Sequence, residues 1–151
     1  MDAVTYPQDQ IVAFVHDYFV PVRIHTDAHP ELCAKYRVAW TPTFIVLDPD
    51  GTEHYRDIGY LPPPDFVAHL TLALGHTALE QKDYATAVRF FQTVIDRHGA
   101  SEVVPEALYC LGIAKNRISG GTADDRKAIW GRLMETYPKS DWAKKASSAF
   151  D

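Results

Sequence analysis

Thr41-Pro42-Thr43-Phe44-Ile45-Val46-Leu47-Asp48-Pro49-Asp50-Gly51 is the stretch on which the fold of this chain turns. Phe44 to Leu47 is a continuous apolar run closed at each end by turn residues, the mark of a buried strand. Asp48-Pro49-Asp50-Gly51 then reads as a tight turn, with Pro and Gly where turn geometry favours them. Glu53 to Ile58 follows as the second arm of a hairpin, and Gly59 to Pro64 breaks the pattern.

Upstream, Val20-Pro21-Val22-Arg23-Ile24-His25 alternates apolar residues with others and is rich in β-branched types, which predicts a further strand. Between it and the hairpin, His29-Pro30-Glu31 opens a helix with Pro in the first turn, where its missing N–H is harmless. That helix is expected over Pro30–Arg37. Pro7-Gln8-Asp9 opens an earlier helix whose apolar positions, Ile11, Val12, Phe14, Val15, Tyr18 and Phe19, have helical spacing.

Everything after Asp65 is patterned as helix. The expected segments are Asp65–Gln81, Tyr84–Arg97, Glu106–Ile118, Asp124–Tyr137 and a last helix from Asp141. Lys82-Asp83 and Ser119-Gly120-Gly121 mark turns. The shift from strand to helix signals near residues 60–66 divides the chain into an α/β part over 1–64 and an all-α part over 65–151.

Composition narrows the function. The net charge is -5 and the pI about 5.7, which argues against nucleic acid as a partner, since that needs a basic face. No run of five or more Lys/Arg marks a membrane-surface patch, and no apolar stretch approaches the roughly 18 residues that span a bilayer. Met1-Asp2-Ala3 carries an acid where a secretory leader carries a base, so a cytoplasmic location is expected. The two cysteines, Cys33 and Cys110, lie 77 positions apart and are expected reduced. His25 and His29 are four apart but straddle a strand-to-helix junction, so they are not a helical ligand pair. No metal site and no cofactor is expected.

The ordered set of strand, helix, Thr41-Pro42-Thr43, hairpin and Gly59 resembles the back two thirds of the thioredoxin family. The family places a further strand between the equivalents of Val20–His25 and Thr43–Leu47, and its lack here has three outcomes: the two strands pair directly, leaving a sheet of three strands packed on helices; a second chain donates an edge; or the N-terminal segment stays loosely folded. The resemblance implies a cis bond at Thr41–Pro42. It also implies a peptide groove with Trp40, Thr41 and Pro42 as one wall and Gly59 beside it, where an extended ligand adds its backbone and side pockets select. Thioredoxin chemistry requires two cysteines, two residues apart, at a helix start, where the thiolate of the first is stabilised. That pair is missing here. Cys33 lies within a helix with Tyr36 at the partner spacing, and remains a candidate thiol only in a peripheral sense. Met1 to Tyr6 reads as the tail of the redox helix.

The helical part resembles tetratricopeptide repeats, in which helix pairs stack on their neighbours. Leu74-Gly75, Ala78, Tyr84, Ala87 and Phe91 form one unit. Leu111-Gly112, Lys115, Ala128, Trp130 and Leu133 form the next. Gly75 to Gly112 is 37 positions and Phe91 to Trp130 is 39, near the usual period of about 34.

These readings combine into a redox-inactive thioredoxin-like and helical-repeat module that binds protein or peptide. The alternative is a fragment of a thiol-disulfide oxidoreductase whose Cys-x-x-C lies upstream of Met1; the chain as it stands is then no enzyme, and an upstream motif would make it one. A homodimer is one way to satisfy the strand edge that the missing front third of the fold would leave open.

Overall fold

A computed structural model describes residues 1, 3–148 and 150. The chain divides into two compact units, Met1–Val67 and Ala68–Asp151.

In the first unit the carbonyl of Met1 accepts the N–H groups of Val4, Thr5 and Tyr6 at 3.2, 2.9 and 3.1 Å, closing a helix-like turn. α1 follows over Asp9–Tyr18, with Asp9 in its first turn and His16 in its last, each at the end whose dipole favours it. Of its apolar residues only Ile11 is buried. α2 spans Pro30–Lys35 with Pro at its start. It ends in a Schellman motif: Arg37 N–H reaches Ala34 O and Val38 N–H reaches Cys33 O. Arg37 takes the left-handed φ of 51° at the position where glycine is usual.

β1 (Thr43–Leu47) and β2 (Glu53–Ile58) pair antiparallel, Thr43 opposite Ile58 and Val46 opposite Tyr55. The register slips between Val46 and Leu47, so His54 is the extra residue of a bulge. Its ring, 5 % exposed, meets Asp48 Oδ2 at 3.1 Å. Asp48 Oδ1 accepts the N–H groups of Asp50 and Thr52 at 3.0 and 2.8 Å, and Gly51 supplies the positive φ of 83° that the turn requires. The Thr52 and Asp50 amides and the His54 ring hold the Asp48 carboxyl below its usual pKa.

The sheet has two strands among the described residues, not the three expected. Val20–His25 lies outside any strand, and its apolar residues face solvent: Val20 is 91 % exposed, Val22 75 % and Ile24 41 %. Its alternation favours extended backbone, but a strand exists only where a neighbour completes the ladder, and β1 pairs with β2 alone. The core of this unit gathers instead on Phe66. Tyr6 meets its ring edge-on at 5.5 Å and Phe44 at 5.3 Å, while the fully buried Thr5 donates its hydroxyl to Leu61 O at 2.8 Å.

α3 runs over Pro63–Glu80, with its first turns in the first unit and the remainder in the second. The second unit continues with α4 (Tyr84–Arg97), α5 (Val104–Arg117), α6 (Ala123–Thr136) and α7 (Asp141–Ser147). The boundaries of α4, α5 and α6 fall within two residues of those expected, and α7 starts at Asp141 as expected. α4 packs on α5, α5 on α6, and α7 on both α5 and α6. Asp83, Thr122 and Ser140 cap α4, α6 and α7, each accepting a backbone N–H three residues on. Asp83 has a second task. Its N–H bonds Ala78 O while Lys82 N–H bonds Leu79 O, with Lys82 at φ 64°, so the end of α3 and the start of α4 share one residue.

The same glycine–aromatic contact occurs twice. A Cβ on Gly75 of α3 would stand 2.5 Å from the ring of Phe91 on α4, and one on Gly112 of α5 would stand 2.5 Å from the indole of Trp130 on α6. Each glycine lies five residues before its helix ends and each aromatic seven residues after its helix begins; only the linkers differ, three residues (81–83) against five (118–122). The Trp130 indole also donates to Tyr109 O at 2.9 Å and stacks on the Tyr109 ring at 4.7 Å.

The Gly75–Phe91 contact sets a test of sign. Gly→Ala in a helix interior gains about 1 kcal/mol in propensity, but Phe91 is fully buried and cannot yield. Overpacking at about 1–3 kcal/mol outweighs the gain. Gly75→Ala and Gly112→Ala are expected to lower the denaturant midpoint, whereas Gly131→Ala on α6, with nothing within 4 Å of its Cβ, raises it.

The hairpin sets a test of pH. A carboxyl with a depressed folded pKa contributes stability above its unfolded value, near 3.9, that is lost as pH falls through the lower folded value. Asp48→Asn is expected to melt below wild type at pH 7, with the gap closing as pH drops below about 4; a pH-independent gap refutes the charged role of Asp48.

Candidate functional site

The loop between α2 and β1 is held at both ends. At its start Arg56 of β2 donates to the carbonyl of Tyr36, while its guanidinium grips Glu53 through two bonds of 2.8 and 2.7 Å. Arg56 thereby draws the Glu53 carboxyl below its usual pKa, and Glu53 raises that of Arg56. At its end Gly59 N–H bonds Pro42 O at 2.8 Å. Gly59 sits at φ 113°, a region that side chains rarely adopt. Thr43 donates its hydroxyl to Trp40 O at 2.6 Å, and the Thr41–Pro42 bond is cis.

Between these fixed points the side chain of Trp40 is 73 % exposed. The Pro42–Gly59 bond brings the end of β2 to the same corner, and the residues flanking Gly59, Ile58 and Tyr60, are each more than half exposed. Three large apolar side chains thus stand in solvent around one anchored backbone turn. Trp and Tyr are the residue types most often dominant in binding.

Of the residues singled out from sequence, Pro42 and Gly59 are bonded to one another, with Trp40 and Thr41 on the adjoining loop. Cys33 is placed apart in α2, half-buried, with its Sγ 3.9 Å from Thr26 O. Cys110 is buried in α5, and burial pushes its thiol far above the ordinary cysteine range. His29 Nδ1 lies 3.5 Å from Glu31, and among the described residues no group of three or more His, Cys, Asp or Glu side chains is placed to hold a metal. No helix among them is long and apolar enough to cross a membrane.

Ile58 and Tyr60 escaped the sequence reading, which treated Gly59 onward as a break between elements. The signal was present: two large apolar residues flank a glycine directly after a strand, where the chain leaves the sheet. Arg56 was legible only as a strand residue, since nothing local announces a bond to a carbonyl twenty positions earlier.

Compared with curated proteins and with solved structures, the chain shows no significant match. One family model matches, that of the thioredoxin-like domain, over residues 1–74. Over that span, just under half of its length, the chain is similar to the thioredoxin-like domain family.

Proposed function

We propose that this chain is a redox-inactive thioredoxin-like and tetratricopeptide-like module that binds protein or peptide at the corner formed by Trp40, Thr41, Pro42 and Gly59. The observation that carries this is the exposure of Trp40 on a loop held at both ends, with Ile58 and Tyr60 beside it. An anchored aromatic loses little conformational freedom on binding, so the contact area it offers is not offset by ordering.

The inactive reading is supported by the cysteines. Dithiol exchange needs an accessible thiolate and a resolving partner; Cys110 is buried with a raised pKa, and Cys33 is half-buried in a helix with no second cysteine in its unit. The repeat reading is supported by the duplicated Gly75–Phe91 and Gly112–Trp130 contacts. The acidic composition agrees with a partner other than nucleic acid.

Selection of a random peptide library on the immobilised chain tests the binding site. Enriched peptides are expected to lose about 30-fold or more in affinity against Trp40→Ala, the loss typical of a dominant aromatic, and a smaller factor against Tyr60→Ala, with the circular dichroism of both variants unchanged. Peptides that bind both variants as tightly as wild type place the site elsewhere.

Insulin reduction tests the redox-inactive reading of the chain in hand. The turbidity rate with dithiothreitol is expected to equal the protein-free background; an excess rate that disappears in Cys33→Ser overturns the inactive assignment.

A further inference from the structure

We propose that Asp50–Gly51, in the turn between β1 and β2, is a site of spontaneous isoaspartyl conversion, held in check by the bonds that Asp48 makes across that turn. This concerns the hairpin turn and does not rest on the reading of the Trp40 corner.

The sequence singles out the pair. Gly51 is the only glycine of the chain that follows an Asp or Asn. A side chain on the following residue crowds the approach of its amide nitrogen to the carboxyl carbon, and glycine has none. Packing leaves room as well, since only the Tyr36 hydroxyl comes within 4 Å of a Cβ built on Gly51, at 3.4 Å. Asp50 is exposed, and among the described residues no hydrogen bond or ion pair holds its carboxylate. Asp48, by contrast, precedes Pro49, whose nitrogen carries no hydrogen, and cannot react in this way.

The reaction needs no partner but water. The Gly51 nitrogen bonds to Cγ of Asp50 in its acid form. The carboxyl hydroxyl and the amide hydrogen leave together as water, and a five-membered succinimide remains. Water then adds back at one of two carbonyls. At the side-chain carbonyl it restores Asp50. At the main-chain carbonyl it breaks the original peptide bond and leaves Gly51 linked through Cγ.

The closed turn opposes the first step. Gly51 donates its N–H to Asp48 O at 3.0 Å, so the attacking nitrogen is already engaged. Asp48 Oδ1 accepts the N–H groups of Asp50 and Thr52 at 3.0 and 2.8 Å, and Asp48 donates its own N–H to Thr52 O at 3.0 Å. These bonds fix the backbone on both sides of the reacting pair. Reaction therefore proceeds from the opened turn, at a rate that follows the opening equilibrium. The product is longer by one main-chain carbon between the two N–H groups that Oδ1 grips. It no longer presents both of them to that oxygen, so conversion leaves the turn open.

A time course of the folded chain, kept warm at neutral pH, tests the site. Isoaspartyl groups are counted by methyl transfer with protein isoaspartyl methyltransferase and located by peptide mapping. Label is expected to accumulate in the peptide that contains Asp50. Asp50→Glu, which would have to close a six-membered ring, is expected to lose it. Asp48→Ala, with circular dichroism as the check on folding, is expected to label roughly tenfold faster, the effect of losing hydrogen bonds to a charged acceptor. Wild type unfolded in urea sets the unguarded rate without any variant, and the native chain is expected to fall at least about tenfold below it. Equal rates for native and unfolded wild type, or for wild type and folded Asp48→Ala, overturn the role of Asp48. Label that persists at this peptide in Asp50→Glu, or a native chain without label when the unfolded chain is fully converted, overturns the site.

Discussion

A sheet of two strands buries too little to stand alone, so the first unit depends on one ring. Phe66, in the first turn of α3, is approached edge-on by Tyr6 from the N-terminal turn and by Phe44 from β1. Each such pair adds about 0.5–1.5 kcal/mol beyond the area it buries. The Thr5–Leu61 bond holds the chain on either side of this cluster. From that seat the hairpin gains a surface to rest on, the hairpin positions Arg56 and Gly59, and those two residues hold the loop that carries Trp40. The site is thus an outgrowth of an aromatic cluster, not of a wide sheet.

The second unit is organised by close approach. Gly75 and Gly112 admit rings that any larger residue would exclude, and the rings come from the following helix each time. This part was the most legible from sequence, because amphipathic spacing and capping residues are local signals: Asp83, Thr122 and Ser140 announce their helices within a few residues. Tyr84–Arg97 has the ends expected of it.

The first unit was legible where a signal was local and not where it depended on a partner. The hairpin Thr43–Ile58 follows from its apolar run and its Asp-Pro-Asp-Gly turn. Val20–His25 has the composition of a strand, but pairing is a property of two segments and its absence cannot be seen in one. Arg37 and Lys82 were equally opaque, since both fill helix-terminating positions at positive φ where glycine is the usual signal. At the site, Trp40, Thr41, Pro42 and Gly59 stood out by resemblance, while Ile58 and Tyr60 emerged only when exposure was known.

The shared residue between α3 and α4 also determines where this chain can change length. Lys82 and Asp83 use their N–H groups to finish one helix while the Asp83 side chain begins the next. One residue added there would separate those roles and rotate Phe91 about 100° away from Gly75, given 3.6 residues per turn. The α5–α6 linker already carries two residues more than its counterpart with the Gly112–Trp130 contact intact. Added length at Lys82–Asp83 therefore breaks the repeat contact even though this turn lies at the surface.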